Sequence, residues 1–345
     1  MKLKTLRIIF STIAFFIVLC LLFAAYQIHL FDQNAGVSFI SVLRQIRDGW
    51  NAKPVATARE DTIVFLILGT NEIQNRDIPP LTDTMMAASI NVITGRVGLF
   101  SVPRDIWSTP YQTKIDALYT YGLTRYPKSP ERFSKEVLGE MTGVSFDRTI
   151  VVTPDAFMAF VDTIGGIDIN VTHPFVDTQY PKSDVNIFTE TDPNKLYETV
   201  RFSAGWQHID GARALIYVRS RHAEGSEGSD IARSRRQREV LSVIAAKLKH
   251  PQFYTDTGRL GKLYALYTKY MSPYLSIPDA VALTKELFPL RHNVSMIEGT
   301  FSIYPDQPDG AIYHPDFSPL NDGQWVFLIK NEDGFQREIH ATLGL

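Results

Sequence analysis

The N-terminus holds the longest apolar segment of the chain. Residues 8–30 (IIFSTIAFFIVLCLLFAAYQIHL) carry no formal charge, and at about 1.5 Å per residue they would cross a bilayer core of about 30 Å. Lys2, Lys4 and Arg7 precede the segment, and Asp32 is the first charge after it. Positive charge before a span predicts a cytoplasmic N-terminus with the rest of the chain outside. A cleaved signal peptide is the alternative, but its apolar region is only about 7–15 residues.

Beyond residue 60, β-branched runs alternate with amphipathic ones. Thr62–Leu68 is a continuous apolar run, typical of a strand that is buried on both faces. Pro154 opens a helix that Gly165-Gly166 ends, and Ser229 or Asp230 caps a long helix. Further strands are predicted at 85–93, 97–102, 148–152, 167–171, 214–218, 294–304 and 325–330, and further helices at 114–121, 131–141 and 277–288. This alternation predicts an α/β fold, a sheet with helices on both faces.

Composition narrows the class of protein. Hydrophobic residues make up 45% of the 345 residues and charged residues 21%, which is ordinary for a globular chain with a full core. The net charge of −2 excludes a polycation that coats nucleic acid. Because Cys20 is the one cysteine, an internal disulfide and a multi-cysteine metal site are excluded as well.

Arginines concentrate in one segment, YVRSRHAEGSEGSDIARSRRQRE. Arg219 and Arg221 alternate at the end of a predicted strand, so their side chains would point to one face. On the following helix, Arg233, Arg236 and Gln237 are spaced i, i+3 and i+4, which places them on one face too. A guanidinium binds phosphate with two parallel hydrogen bonds, and a helix N-terminus adds its dipole. The segment therefore predicts a pyrophosphate site, with a solvated basic helix face as the alternative.

A second polar group lies at the ends of other predicted strands. Asn71 follows the first strand, Asp83 precedes the second, and Arg104 and Asp105 follow the third. Ligands of open α/β sheets bind at the carboxyl ends of strands. Asp83 is a candidate Mg²⁺ ligand, because Mg²⁺ binds one or two carboxylates together with phosphate oxygens and water. Taken by itself, Asp83 could instead cap a turn. Taken by itself, Arg104 could instead form a surface ion pair.

Eight segments occur in a specific order, namely ILGTN, TDTMMAASIN, GLFSVPRD, KIDALYTYG, GVSFDRTIVV, VDTIGGIDINV, FSAGWQHIDGARALIYVRSRH and SDIARSRRQREV. Behind one apolar span, this order resembles the LytR–CpsA–Psr (LCP) family over residues 64–248. The resemblance implies a three-layer α/β/α sandwich around a mixed central sheet, with a deep apolar groove. It also implies a Mg²⁺-dependent phosphotransferase that moves a glycopolymer from a polyprenyl-pyrophosphate carrier to a cell-wall acceptor such as peptidoglycan.

The resemblance also implies roles for single residues. Asp83 would bind Mg²⁺, and Asn71 would occupy another ligand position of the same metal site. The residues expected to bind pyrophosphate are Arg104, Arg219, Arg221, Arg233 and Gln237, to which the helical spacing adds Arg236. Arg104 would also act in catalysis, and Asp105 and Asp230 are candidates for taking the proton of the acceptor hydroxyl. Asn71 stands where the family has Asp, and Leu81 where it often has Arg; loss of one carboxylate predicts weaker Mg²⁺ binding.

These predictions divide the chain into a cytoplasmic tip (1–7), a transmembrane helix (8–30), a juxtamembrane stalk (31–60), an LCP-like catalytic domain (61–250) and a C-terminal extension packed on that domain (251–345). The anchor would hold the enzyme beside its lipid-linked donor and raise its effective concentration. Two alternatives remain open: a non-catalytic polyprenyl-phosphate-binding regulatory or envelope-maintenance protein, and a pyrophosphate hydrolase. A DNA-binding regulator is disfavoured, because the basic segment would lie across the membrane from DNA.

Overall fold

The computed structural model describes residues 2–52, 57–71, 79–182, 185, 192–290, 294–315 and 323–345, with the backbone alone for residues 2–16, 193, 194, 230, 231 and 234. The chain divides into two compact units. Unit 1 comprises Met1–Arg47, Met158–Tyr180 and Thr199–Lys269, and unit 2 comprises Asp48–Phe157, Pro181–Glu198 and Tyr270–Leu345.

The described part contains helices and strands as follows. The helices are α1 (Lys2–Ala35), α2 (Phe39–Asn51), α3 (Leu118–Arg125), α4 (Glu131–Thr142), α5 (Pro154–Thr163), α6 (Pro193–Leu196), α7 (Gly211–Arg219), α8 (Asp230–Lys249), α9 (Thr257–Leu266), α10 (Ile277–Leu287) and α11 (Glu332–Leu343). The strands are β1 (Thr62–Thr70), β2 (Thr82–Asn91), β3 (Arg96–Val102), β4 (Trp107–Ser108), β5 (Thr113–Lys114), β6 (Arg148–Val152), β7 (Ile167–Val171), β8 (Phe175–Pro181), β9 (Tyr197–Phe202), β10 (Gly205–Ile209), β11 (Ser295–Thr300), β12 (Ile303–Tyr304), β13 (Ile312–Tyr313) and β14 (Leu328–Ile329).

Unit 2 is built on a mixed five-stranded sheet in the order β11-β3-β2-β1-β6. The pairs β1–β2 and β2–β3 are antiparallel, whereas β1–β6 and β3–β11 are parallel. Because β2 runs against both of its neighbours, the end of β1, the start of β2 and the end of β3 meet at one edge of the sheet. That edge carries the second polar group of the sequence.

Both faces of this sheet are covered, as the unbroken apolar run of β1 predicts. Val64 and Leu66 belong to a core that includes side chains of α4 and α11. Ile63 and Phe65 point the other way and pack with Leu283 of α10, since successive side chains of a strand alternate between faces. The three-layer α/β/α arrangement and the mixed sheet are thus confirmed.

The C-terminal residues complete this sheet. β11 pairs with β3, and the hydroxyl of Ser89 on β2 donates a hydrogen bond to the carbonyl of Leu343 at 2.7 Å. The strand predicted at 325–330 is wrong except for Leu328–Ile329. Its neighbour Phe327 instead makes a single bridge with Ile106, so tertiary contact limits the strand to two residues.

Residues 31–51 of the predicted stalk contain the end of α1 and the whole of α2. α1 continues through Ala35, and Phe31, Ala35 and Val42 form a small core with side chains of α2 and α9. Residues 31–47 are therefore packed helices, because the apolar face of α2 finds a partner. The segment Ile17–Ala35 is long and apolar enough to cross a membrane.

Residues 214–218 are helical, so the strand predicted there is wrong. The carboxylate of Asp210 caps α7 by accepting a hydrogen bond from the Arg213 amide at 2.8 Å. Ala214 and Tyr217 are buried at helical spacing, and this packing outweighs the strand preference of the β-branched residues. Arg219 therefore ends a helix, and Arg219 and Arg221 do not alternate along a strand.

Candidate functional site

The chain leaves α7 at Arg219 in a short irregular segment, Arg219–His222, which a buried carboxylate organises. Asp177 of β8 is fully buried, and its Oδ2 accepts hydrogen bonds from Ser220 Oγ at 2.5 Å and from the amides of Arg221 and His222 at 3.1 and 3.2 Å. Burial alone would raise the pKa of Asp177, but these bonds outweigh it and lower the pKa. We call Arg219–His222 the arginine turn. Asp177 could not be singled out from the sequence, because it belongs to no motif or periodic pattern.

Arg236 ties α8 to the end of α7. Its side chain is 1% exposed, and its guanidinium donates to the carbonyls of Tyr217 (2.9 Å), Ser220 and Glu227 (3.0 Å). It also lies 4.5 Å from the centre of the Phe175 ring. These internal partners replace the pyrophosphate predicted for Arg236, so that prediction is corrected: Arg236 holds the backbone of the arginine turn.

The first turns of α8 lie against the same segment. Ser229 caps the helix by accepting a hydrogen bond from the Ala232 amide at 3.2 Å, and Gln237 Nε2 lies 3.4 Å from the Val218 carbonyl. The half-buried Arg233 therefore stands on a helix start that is fixed beside the arginine turn. The side chain of Asp230, a predicted proton acceptor, lies outside the described residues.

The second polar group forms at the predicted edge of the sheet in unit 2. The Arg104 guanidinium makes an ion pair with Asp83, and its Nε lies 3.5 Å from Asp105 Oδ2. Lys114 Nζ donates to Asp105 Oδ1 at 2.7 Å. Burial alone would lower the pKa of Arg104, but Asp83, Asp105 and Asp116 outweigh it and raise the pKa. The structure thus joins Asp83, Arg104 and Asp105, as predicted from their positions at strand ends.

Asp116 is a carboxyl group that the sequence reasoning missed. It follows Lys114 in the segment KIDALYTYG and is 7% exposed. Burial raises the pKa of Asp116 to about 6, although Arg104 and Lys114 oppose the shift. A carboxyl group with such a pKa changes its protonation near neutral pH. The charged neighbours could not be inferred from spacing, because they come from three separate segments.

The described residues at this edge of the sheet offer a divalent cation a few separate oxygen atoms. These oxygens do not form a complete coordination shell. Asn71 Oδ1 accepts a hydrogen bond from the Leu81 amide at 2.8 Å, and the buried Thr70 hydroxyl has no hydrogen-bond partner among the described residues. Within that same part of the chain, no three His, Cys, Asp or Glu side chains group as metal ligands. With Asp83 next in the sheet, this donor set fits Mg²⁺ only if phosphate oxygens and water complete the coordination.

An open apolar cavity of about 340 Å³ lies between α3 and α4 in unit 2. Tyr111, Tyr121, Thr124, Arg125 and Phe133 line it. Arg125 stands 5.2 Å from the centre of the Phe133 ring. The volume is at the small end of the range of about 300–1,000 Å³ for ligand pockets.

The predicted residues thus form two groups, each within one unit. Unit 1 holds the arginine turn with Arg233 and Gln237, and unit 2 holds Asp83, Arg104 and Asp105 beside Asn71. Guanidinium groups at a helix start are suited to a phosphate-bearing ligand. Fold and site define an α/β protein with an N-terminal apolar helix and an arginine turn whose side chains are of the type that binds anions.

The sequence comparisons name the family. The LytR_cpsA_psr family matches residues 41–310, and the chain belongs to this family. It is 24% identical over 242 residues to a "polyisoprenyl-teichoic acid–peptidoglycan teichoic acid transferase", TagU of Oceanobacillus iheyensis, covering 69% of this chain and 67% of that one. It is 21% identical to TagV of Bacillus subtilis, a transferase of the same description, over 66% of this chain and 54% of TagV. The chain thus spans about half to two thirds of these relatives.

Solved structures share the fold. The crystal structure of Bacillus subtilis TagV superposes with a TM-score of 0.53 at 17% identity, over 83% of this chain and 98% of TagV. That of Bacillus subtilis TagT superposes with a TM-score of 0.50 at 22% identity, over 86% and 98%. The likeness supports the α/β architecture that the resemblance predicted.

Proposed function

We propose that this protein is a membrane-anchored transferase that moves a glycopolymer from a polyprenyl-pyrophosphate carrier to peptidoglycan or another cell-wall acceptor. Membership of the family, and the teichoic acid transferases among its relatives, support this activity. The single observation that carries the proposal is the arginine turn, which buried Asp177 and Arg236 hold rigidly beside the start of α8. Such rigidity suits an anionic group that must be held in one position.

The proposed role of the arginines is to stabilise the negative charge of the pyrophosphate. A pyrophosphate diester resists attack because its oxygens are negative, and Arg219, Arg221 and Arg233 would neutralise them and stabilise the charge that develops in the transition state. The acceptor hydroxyl oxygen forms a bond to the phosphorus that carries the glycopolymer. The bond from that phosphorus to the bridging oxygen breaks, and polyprenyl phosphate leaves with the electron pair. Asp105 and Asp230 are the two candidates to receive the hydroxyl proton.

We further propose Mg²⁺ as the cofactor, held by Asp83 and Asn71 together with phosphate oxygens of the donor. Bound there, it would neutralise phosphate charge and polarise a phosphoryl oxygen. Arg104, paired with Asp83, would hold that carboxylate in place. Because Asn71 supplies no charge, the site depends on the donor for part of its affinity.

The proposed location is the cell membrane, crossed once, with the N-terminus in the cytoplasm and the catalytic domain outside. Lys2, Lys4 and Arg7 before the apolar run support this orientation. The acceptor, peptidoglycan, lies on the same side.

The test is transfer by the purified full chain with a polyprenyl-pyrophosphate-linked glycan, Mg²⁺ and a peptidoglycan oligomer, read by mass spectrometry. Arg219→Ala and Arg233→Ala should each lower transfer about 100-fold or more, with an unchanged unfolding temperature. Arg238→Ala, exposed on α8, is the matched control and should retain transfer. Chelation of Mg²⁺ should stop transfer in the unmodified chain.

Other outcomes separate the alternatives. Free phosphorylated sugar in place of a conjugate would identify a hydrolase, and bound donor without any product would identify a lipid-binding regulator. Full transfer by both arginine variants would show that the reaction does not need the arginine turn.

A further inference from the structure

The C-terminal part of α1 packs against another helix of unit 1. The described side chains of α1 are exposed from Ile17 through Tyr26, as lipid-facing residues would be. At Gln27 this changes, because Thr257 Oγ1 donates a hydrogen bond to Gln27 Oε1 at 2.6 Å. From there α9 covers α1 as far as Ala35.

A glycine fixes the position of α9 against α1. A Cβ on Gly261 would lie 2.6 Å from the Phe31 carbonyl oxygen and 3.1 Å from the Ala35 amide nitrogen, so only glycine allows this approach. Since Thr257 meets Gln27 and Gly261 meets Phe31 to Ala35, the two helices run side by side in the same direction. The N-terminal end of α9 is therefore the end nearer to the membrane.

This packing limits where the hydrocarbon core can lie. α9 carries Arg259, which pairs with Asp256 at 3.5 Å, and the exposed Lys262. Such residues are costly inside a bilayer, so the part of α1 that α9 covers must lie outside it. The span then falls within Ile8–Tyr26, which at about 1.5 Å per residue measures about 28 Å and matches a hydrocarbon core of about 30 Å.

With the span at Ile8–Tyr26, the segment between α8 and α9 would stand at the height of the lipid headgroups. Its composition suits that place. The Tyr254 side chain is 55% exposed, while its hydroxyl donates to the Leu248 carbonyl at 2.8 Å. An apolar ring is therefore turned outward with its polar tip satisfied. Lys249 and His250 beside it are exposed, and aromatic and basic residues together are typical of membrane interfaces.

We propose that Lys249–Asp256 is a second membrane contact, which rests on the headgroups of the outer leaflet beside the anchor. This inference depends on the membrane anchor of the proposed function. One helix alone would leave unit 1 free to tilt. A second contact beside it would fix unit 1, and with it the arginine turn, at a set height above the bilayer.

The test measures depth in the membrane by spin labelling of the full chain in phosphatidylcholine–phosphatidylglycerol nanodiscs. Cys20 is the single cysteine, so one nitroxide on the unmodified chain reports the span. A second label is placed by Tyr254→Cys in a Cys20→Ser chain. The relative collision rates with oxygen and with a water-soluble nickel chelate give the depth of each label.

We expect hydrocarbon depth at Cys20 and headgroup depth at position 254. Gly261→Ala should shift the label at position 254 toward water, because its Cβ collides with backbone of α1. Gly258→Ala is the matched control, since its Cβ would lie 3.4 Å from the nearest atoms, and it should cause no shift. Bulk water or hydrocarbon depth at position 254, with Cys20 in hydrocarbon, would overturn the contact and leave the anchor intact. Bulk water at both positions would instead overturn the anchor of the proposed function.

Discussion

Asp177 and Arg236 are two buried charged side chains in unit 1. Both form hydrogen bonds with backbone groups of nearby residues. Asp177 accepts hydrogen bonds from amides of the arginine turn, and Arg236 donates hydrogen bonds to carbonyls at the end of α7. A buried charge is costly unless it is fully hydrogen-bonded, and here both are satisfied by one short stretch of chain. They therefore fix the conformation of the residues that present Arg219 and Arg221.

The Asp177 carboxylate should stabilise the fold in a pH-dependent way. Asp177→Asn places an NH₂ donor among amide donors, so we expect the free energy of unfolding to fall by about 1–3 kcal/mol at pH 7. Because folding lowers the pKa of Asp177, its contribution is present above the unfolded-state pKa of about 4 and is lost as pH falls through the folded-state pKa. The difference between the two proteins should therefore narrow below about pH 4.

Urea unfolding of the full chain in detergent at neutral and acidic pH measures this difference. Asp168→Asn is the control, because Asp168 forms an exposed pair with His208 and such pairs contribute little. A difference between wild type and Asp177→Asn that is the same at both pH values would contradict the role of the ionised carboxylate.

At the scale of elements, α7 is a short helix that ends at Arg219, a residue proposed to bind pyrophosphate. It is nine residues long, and isolated helices of that length are marginal in water. Its cap and its packing therefore decide whether Arg219 sits at a helix end. The strand-forming residues in its sequence would otherwise favour an extended chain.

Removal of the α7 cap should affect ligand binding as well as stability. Asp210→Ala is expected to cost about 1 kcal/mol of stability and to weaken binding of a polyprenyl-pyrophosphate donor, because the arginine turn follows directly. Isothermal titration of the donor, with thermal unfolding in parallel, measures both effects. Ser276→Ala removes the cap of α10, a 3.2 Å bond to the Asp279 amide, and should lower stability alone. Equal donor affinity in both variants would show that α7 does not govern the turn.

At the scale of the whole molecule, the sheet of unit 2 depends on the last fifty residues. β11 pairs with β3, and α11 closes the core on one face. Phe335 of α11 stacks on Phe301 with ring centres 4.0 Å apart, and Phe301 in turn meets Phe100 of β3 at 4.6 Å. The C-terminal segment is thus a structural part of the sheet that carries Asp83 and Arg104.

This dependence predicts a large effect from a residue far from any candidate site residue in sequence. Phe335 is 1% exposed, so Phe335→Ala should lower the free energy of unfolding by about 3–5 kcal/mol. Ile93→Ala, at a side chain that is 69% exposed, should change it by less than about 0.5 kcal/mol. Urea unfolding of the full chain compares the two, and equal midpoints would mean that α11 does not close the core.

Periodicity and ordered motifs in the sequence were enough to predict the α/β class, most strands of the sheet and the apolar N-terminal helix. They succeed because each of these features depends on neighbouring residues: alternation along a strand, capping of a helix, or an uncharged run as long as a bilayer is thick. The same local logic placed Asn71, Asp83 and Arg104 at one edge of the sheet, since strand ends follow from strand order.

Tertiary structure alone decided the rest. It made 214–218 a helix, because burial of Ala214 and Tyr217 outweighed local strand preference. It buried Arg236 within the protein, brought Asp177 to backbone amides of the arginine turn, and brought Asp116 close to Arg104. Contacts between residues far apart in sequence leave no periodic trace, so the sequence could name the charged groups, but folding determined which of them are buried among partners within the protein.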